Sequence, residues 1–126
     1  MLLFEKYLME VVKNLMKIFS VDNYNEIENI YIHDSELREI TINYCEKEVG
    51  LYLVTAATSD KPSQNVKFIF EQVSDIHIPI KEPWGSGFYI HSLEVELAED
   101  NQFKTSIILN SGDIVKCIAT FLNTND

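Results

Sequence analysis

Residues 33–35 are a histidine, an aspartate and a serine in succession, which are the side-chain types of a hydrolytic triad. Consecutive residues seldom present their side chains to one another, however, as the proton relay of a triad requires. On a strand, His33 and Ser35 would share one face and Asp34 would lie on the other. Asp and Ser are also typical turn residues, because their short side chains hydrogen-bond to nearby backbone groups. The segment therefore predicts a corner that orients a strand beginning at Leu37, and no enzyme activity is expected.

The three histidines of the chain, His33, His77 and His91, would suit a zinc ion if the fold brought them together, with Asp34 as a natural fourth ligand. Their spacing matches none of the HxH, HxxxH or HExxH patterns. His91 shares the apolar face of its strand with Leu93 and Val95, which favours a hydrogen-bonded histidine in or near the core. We expect no metal and no other cofactor. A small metal-binding protein or hydrolase that uses His33 and Asp34 with His77 or His91 remains an alternative.

The composition is typical of one compact domain over residues 1–126, since 46% of the residues are hydrophobic and 24% are charged. Twenty acidic residues against ten Lys and Arg give a net charge of -10, which repels polyanions. We therefore expect neither a nucleic-acid partner nor a membrane partner. Cys45 and Cys117 form no CxxC pair, which favours free thiols and a cytoplasmic location.

The first twenty residues carry charges that interrupt each apolar run, so they predict neither a signal peptide nor a membrane span. Their apolar residues recur at spacings of three and four, which predicts an amphipathic helix over residues 2–19. The stripe is formed by Phe4, Leu8, Val11, Leu15 and Ile18.

Residues 30–122 have a hydrophobic period of two, which predicts a β-rich part. The pattern predicts six strands, over 40–45, 49–54, 66–71, 89–97, 103–109 and 115–121. A weaker segment over 76–80 is expected at an edge of the sheet or outside it, because Pro79 lacks a backbone donor. Short connections favour antiparallel neighbours. The predicted fold is therefore an α+β domain, in which the N-terminal helix packs on a mostly antiparallel curled sheet or open barrel.

The phrase IHDSELREITIN (32–43), followed by a strand pair, a proline-containing loop, the FIF strand and a Trp-Gly turn, resembles small bacterial domains with an "HDS" motif before a series of strands. Among these, the chain resembles the immunity proteins of polymorphic toxin systems. The sharp part of the match is His33, Asp34, Ser35 and Leu37. The resemblance implies a cytoplasmic protein that binds and neutralises a toxin, with the motif residues setting the architecture.

Acidity independently favours a basic protein partner, because complementary charge speeds the encounter. A toxin that acts on nucleic acid would have a basic cleft, which an acidic inhibitor could occupy. Trp84, between Pro83 and Gly85, is typical of an exposed anchor, although it would equally suit a plug at the end of the sheet. The candidate partner-binding residues are Glu36, Glu46, Glu48, Trp84, Glu94 and Glu96.

A structural or oligomerisation module is the remaining alternative. It would use the amphipathic helix or the sheet edge near Pro79 as a self-association surface, and a homodimer is left open.

Overall fold

The computed structural model describes residues 16–125. Strand accounts for 49% of the structure and helix for 5%, so the fold is nearly all β and the predicted α+β class is wrong. The described chain forms strands β1 (Lys17–Phe19), β2 (Glu36–Asn43), β3 (Glu48–Val54), β4 (Asn65–Glu71), β5 (Asp75–His77), β6 (Ile90–Leu97), β7 (Phe103–Leu109), β8 (Ile114–Ala119) and β9 (Phe121–Thr124), with one 3-10 helix, Tyr24–Asn29. Between residues 16 and 125, no helix has the length and apolar character needed to cross a membrane.

The strands form two antiparallel sheets with the orders β1-β9-β4-β3-β2 and β5-β8-β7-β6. Each sheet has one apolar face, and side chains from both faces form a single core. The largest buried side chains include Phe68 and Phe70 of β4 and Phe103 of β7. The two apolar faces pack against each other because neither sheet can bury its apolar face alone. A two-layer sandwich therefore replaces the predicted single sheet or barrel.

The predicted N-terminal helix over residues 2–19 is wrong where the structure describes it. Lys17–Phe19 pair with Leu122–Thr124 of β9, and Phe19 points into the core while Ile18 is exposed. Three alternating residues are too few to distinguish a strand from the end of a helical stripe. The part of the prediction over residues 2–15 lies outside the described residues.

The strand predictions over residues 36–109 are confirmed, since β2 and β3 form the expected hairpin and β4, β6 and β7 follow in order. The weaker segment forms the short strand β5 at a sheet edge, as expected before Pro79. The segment 115–121 was predicted as one strand. It is divided at Thr120, after which the chain crosses to the other sheet as β9.

Four strands lie at the edges of the two sheets: β1 and β2 in one, β5 and β6 in the other. Edge strands matter because alternate backbone groups point away from the sheet and can pair with another chain. β1 and β5 have three residues each, whereas β2 and β6 have eight. The two long edges are therefore the ones whose surroundings decide what this fold can bind.

Candidate functional site

The HDS segment is a tight turn that joins the two sheets. The backbone N–H of Ser35 donates to the carbonyl of Ile32 at 3.0 Å, and Asp34 has a φ of 63°, a left-handed conformation that Asp tolerates better than most residues. The N–H of Asp34 donates to the carbonyl of Ile90, and the N–H of Ile90 donates to the carbonyl of Ser35, both at 2.8 Å. The turn thus occupies backbone groups at the start of β6.

The side chains of the HDS segment do not form the relay of a triad. The Nδ1 atom of His33 lies 2.6 Å from the carbonyl oxygen of His91, so this nitrogen carries the proton and donates it. Its Nε2 atom lies 3.5 Å from the Asp34 carboxylate, and both side chains are about half exposed. Ser35 is buried, and its Oγ has no hydrogen-bond partner within residues 16–125. A serine without a contacting base is not an activated nucleophile.

The residues that the metal-binding alternative would use do not converge as a set. The rings of His33 and His91 are in edge contact, with centroids 5.9 Å apart, but His77 lies on β5 at the opposite edge of the sheet from β6. Cys45 is exposed and Cys117 is buried, and the two are not bonded. Over the part of the chain that the structure describes, no group of three or more His, Cys, Asp or Glu side chains could hold a metal ion.

An apolar groove lies along the free side of β2. Residues 78–88 run opposite β2 without forming a strand with it, and prolines at positions 79 and 83 lack the donors that a strand would need. The resulting space, called the β2 groove, has a volume of about 430 Å³. Its apolar lining is formed by Leu37, Ile40, Ile78, Phe88, Leu109 and Val115. A second hollow of about 340 Å³ continues it towards the β2–β3 turn, and Ile42 lines both.

Large apolar side chains are exposed around the β2 groove. Trp84 is 78% exposed and Ile80 is 84% exposed. Exposed apolar side chains grouped around a groove are typical of a binding site. The exposed side chains are those of Ile42, Tyr44, Ile80, Trp84 and Phe88. These side chains, the β2 groove and the carboxylates around the groove are together called the β2 edge surface.

Trp84 is held in place although most of its surface faces solvent. The backbone N–H of Trp84 donates to the carbonyl of Ser111 at 2.9 Å, and the indole ring lies against Gly112 in the β7–β8 turn. A Cβ atom on Gly112 would lie 2.8 Å from Cε3 of the indole. One ring face therefore packs on backbone and the rest is open, so Trp84 does not plug the end of the sheet.

Asp113 fixes the segment that precedes Trp84. Its buried carboxylate accepts hydrogen bonds from the N–H groups of Lys81, at 3.2 Å, and Glu82, at 2.9 Å, and from the Ser111 hydroxyl. Burial of the Asp113 carboxyl raises its pKa, but these backbone and hydroxyl donors outweigh burial and hold the pKa below its usual value. The ionised side chain is therefore part of the loop's structure.

The charges at the rim of the β2 edge surface are unequal. Both basic residues that line the two hollows have partners in the chain: Arg38 donates to Glu36, and the Nζ of Lys47 lies 3.6 Å from the ring centroid of Tyr44. Within residues 16–125, the rim carboxylates form no ion pair. These carboxylates belong to Glu39, Glu48, Asp75 and Glu82. The unpaired charge of the rim is thus negative.

The six predicted partner-binding residues fall on two separate surfaces. Glu36, Glu46, Glu48 and Trp84 lie on or beside the β2 edge surface. Glu94 and Glu96 are exposed on the outer face of β6. The Lys104 ammonium hydrogen-bonds to Glu96 and attracts its charge, which lowers the pKa of that carboxyl.

Sequence reasoning missed Ile42, Tyr44 and Ile80, together with Glu39 and Glu82. Ile42 and Tyr44 lie in the strand predicted over 40–45, but alternation gives only the face of a side chain and not whether another layer covers that face. The position of Ile80 immediately after Pro79 was the available signal that this apolar residue lies outside regular pairing.

No protein-family model, curated protein or solved structure matches this chain.

Proposed function

We propose that this chain is a non-enzymatic binding module that binds a basic protein partner through the β2 edge surface. In keeping with the resemblance of its HDS segment, the proposed partner is a bacterial toxin domain that the chain neutralises. The observation that carries the proposal is Trp84, which is 78% exposed yet held at a fixed place beside an open apolar groove. An aromatic side chain in a fixed position loses little conformational freedom when it is buried by a partner, as an interface anchor should.

The composition of the β2 edge surface supports the same proposal. Aromatic and aliphatic side chains lie at its centre and carboxylates at its rim, which is the usual arrangement of a protein interface. Burial of the central side chains supplies affinity, because removal of apolar area from water is the main favourable term in association. Part of this apolar area lines the groove, which is already open in the protein alone. A partner would bury this part by placing its own side chains in the groove.

The charge of the rim supports a basic partner. Glu39, Glu48 and Asp75 form no ion pair among residues 16–125, and the chain as a whole has a net charge of -10. A field of this sign accelerates encounter with a basic surface and suppresses encounter with an acidic one. The effect weakens as salt screens the charges.

The test is capture of partners from the native host by the tagged chain, with quantitative mass spectrometry after washes at low and moderate salt. The charge-reversal variant carries Glu39→Lys, Glu48→Lys and Glu82→Lys. The matched control carries Glu26→Lys, Glu94→Lys and Glu99→Lys, which change the net charge equally at exposed sites away from the β2 edge surface.

We expect one basic protein to be retained by the wild type and the control, and lost from the charge-reversal variant and from Trp84→Ala. In an assay of the retained protein's activity, addition of the wild-type chain should also block that activity. Equal retention by all variants would refute the β2 edge surface as the site. A retained protein whose activity is unaffected would refute neutralisation.

A further inference from the structure

We infer that the partner adds one extended strand to the free edge of β2, along Arg38–Asn43, with alternate side chains in the β2 groove. The inference rests on the proposed function only for the basic character of the partner. The strand site itself follows from the backbone of the sandwich.

β2 is the only long edge whose backbone groups are left open in the described part of the chain. β1 and β5 have three residues each, too few to template a stable pairing. β6 is covered: the 3-10 helix packs beside it, and Glu28 of that helix accepts the N–H of Val95 at 2.8 Å. The HDS turn occupies the backbone of Ile90 and the carbonyl of His91.

The start of β2 is also occupied, which sets the limit of the site. The N–H of Leu37 donates to the carbonyl of Phe88 at 2.9 Å, and Glu36 forms a bridge with Tyr89. A β-bulge at Arg38 then shifts the register with β3. From Arg38 to Asn43, no backbone hydrogen bond other than those to β3 is formed within residues 16–125. Six residues span about 20 Å, the length of an ordinary strand.

The two faces of β2 define the chemistry of the incoming strand. Ile40 and Ile42 lie opposite the inward-facing Leu51 and Val49, so they point to the groove side. Glu39 and Thr41 lie on the outer side, where Glu39 is exposed. Side chains of an added strand continue these two rows, because neighbouring strands present their residues in register. The fitting segment therefore alternates apolar residues, above the groove, with basic residues.

A second copy of this chain fits the edge poorly. Pairing Arg38–Asn43 with the same segment of a second copy would place both Glu39 side chains on one face, and two chains of net charge -10 repel each other. An alternating basic and apolar strand removes this repulsion and satisfies the same backbone groups. We therefore assign the edge to a basic partner segment.

The test uses an acetylated, amidated peptide of four Lys-Val repeats, titrated into the isotope-labelled full chain and followed by NMR. The control is the same peptide with its four central amides N-methylated, which retains charge and side chains but cannot pair. We expect amide shifts and slowed hydrogen exchange confined to Arg38–Asn43, with binding weakened about tenfold or more by N-methylation.

A pair of protein variants locates the site. Ile42 is 53% exposed on β2 and Ile18 is 57% exposed on β1, so Ile42→Lys and Ile18→Lys change charge and exposed apolar surface alike. Ile42→Lys should weaken peptide binding about tenfold, because it places a repelling charge at the edge, whereas Ile18→Lys should leave it within about twofold.

Equal binding of the N-methylated peptide would refute strand addition and leave the proposed acidic binding surface standing. No peptide binding at about 2 mM, with a host partner still captured, would do the same. Peptide binding at Arg38–Asn43 without a captured toxin would support the strand site and refute the proposed function. Concentration-dependent dimerisation with protection at Arg38–Asn43 would show that the occupant is a second copy, contrary to the inference.

Discussion

The two long edges of the sandwich, β2 and β6, have the same length and opposite surroundings. Both are eight-residue antiparallel strands at the end of a sheet. The 3-10 helix and the HDS turn close β6, while β2 faces an apolar groove with exposed aromatic side chains around it. Open edges are a hazard that proteins normally block. The difference therefore separates an edge that other segments cover from an edge whose backbone is open within residues 16–125.

The HDS turn covers the start of one of these two edges, β6. His33 donates to the carbonyl of His91, and the backbone of Asp34 and Ser35 pairs with Ile90, so consecutive residues of one turn block consecutive positions of β6. The turn requires a left-handed backbone conformation at Asp34, which aspartate adopts more readily than most residues. A motif with the residue types of a catalytic centre thus serves as a cover for a strand edge.

The largest difference between the edges should appear when one apolar residue beside each edge is truncated. Ile27 of the 3-10 helix is fully buried, whereas Ile80 beside the β2 groove is 84% exposed. We expect Ile27→Ala to lower the free energy of unfolding by about 2–5 kcal/mol, because it leaves a cavity beneath the helix that covers β6. Ile80→Ala should change it by about 0.5 kcal/mol or less, as measured by urea denaturation. Comparable losses would contradict the separation of roles.

The place of Trp84 should depend on Gly112 and not on Gly85. Both glycines have positive φ, of 92° and 96°, so alanine at either position is strained by about 1–3 kcal/mol. A Cβ atom added at Gly112 would contact the indole, whereas a Cβ atom added at Gly85 would have no other atom within 4 Å. We expect Gly112→Ala, but not Gly85→Ala, to shift the fluorescence of Trp84 and to reduce partner capture. An unchanged spectrum in Gly112→Ala would show that the turn does not hold the ring.

The cover of β6 by Glu28 should be measurable at a single amide. Glu28→Ala removes the acceptor of the Val95 N–H. It should lower the free energy of unfolding by about 1 kcal/mol and speed hydrogen exchange at Val95. Glu26→Ala on the same helix is the control, since Glu26 is exposed. If exchange at Val95 is equal in both variants, Glu28 does not close the edge.

The smallest effect concerns the acid side of the pH range. Because the pKa of Asp113 is lowered in the fold, the ionised carboxylate contributes stability above its unfolded pKa of about 3.9, and this contribution is lost as pH falls through the folded pKa. The stability advantage of the wild type over Asp113→Asn should therefore be constant near neutral pH and shrink below about pH 4. Urea denaturation at pH 7 and pH 3 measures it. An advantage that persists unchanged at pH 3 would contradict the role of the carboxylate.

The strands were largely predictable because alternation is local, whereas the pairing of strands is not. β3 and β4 each contribute three inward apolar residues at a spacing of two, which any window of the sequence reveals. The division into two sheets depends on contacts such as β4 with β9, whose residues are separated by about fifty positions. The break at Thr120 also lacks a Gly or Pro signal, so 115–121 was predicted as one strand.

The candidate site was predictable only in part. The acidity and the unusual setting of Trp84 are visible in the sequence, but the β2 groove combines Leu37, Phe88 and Val115 from three distant segments. Glu94 and Glu96 satisfied the same sequence criteria as Glu36, yet lie on another face, because period-two alternation does not say which surface lies nearby.

The most direct test of the account is hydrogen–deuterium exchange of the full chain, alone and mixed with the host fraction retained in the capture experiment. We expect slowed exchange at Arg38–Asn43 and no change along Ile90–Leu97, because only the free edge of β2 gains hydrogen bonds. Protection along β6 or on its outer face, with Arg38–Asn43 unchanged, would contradict the inference that a partner binds at the edge of β2.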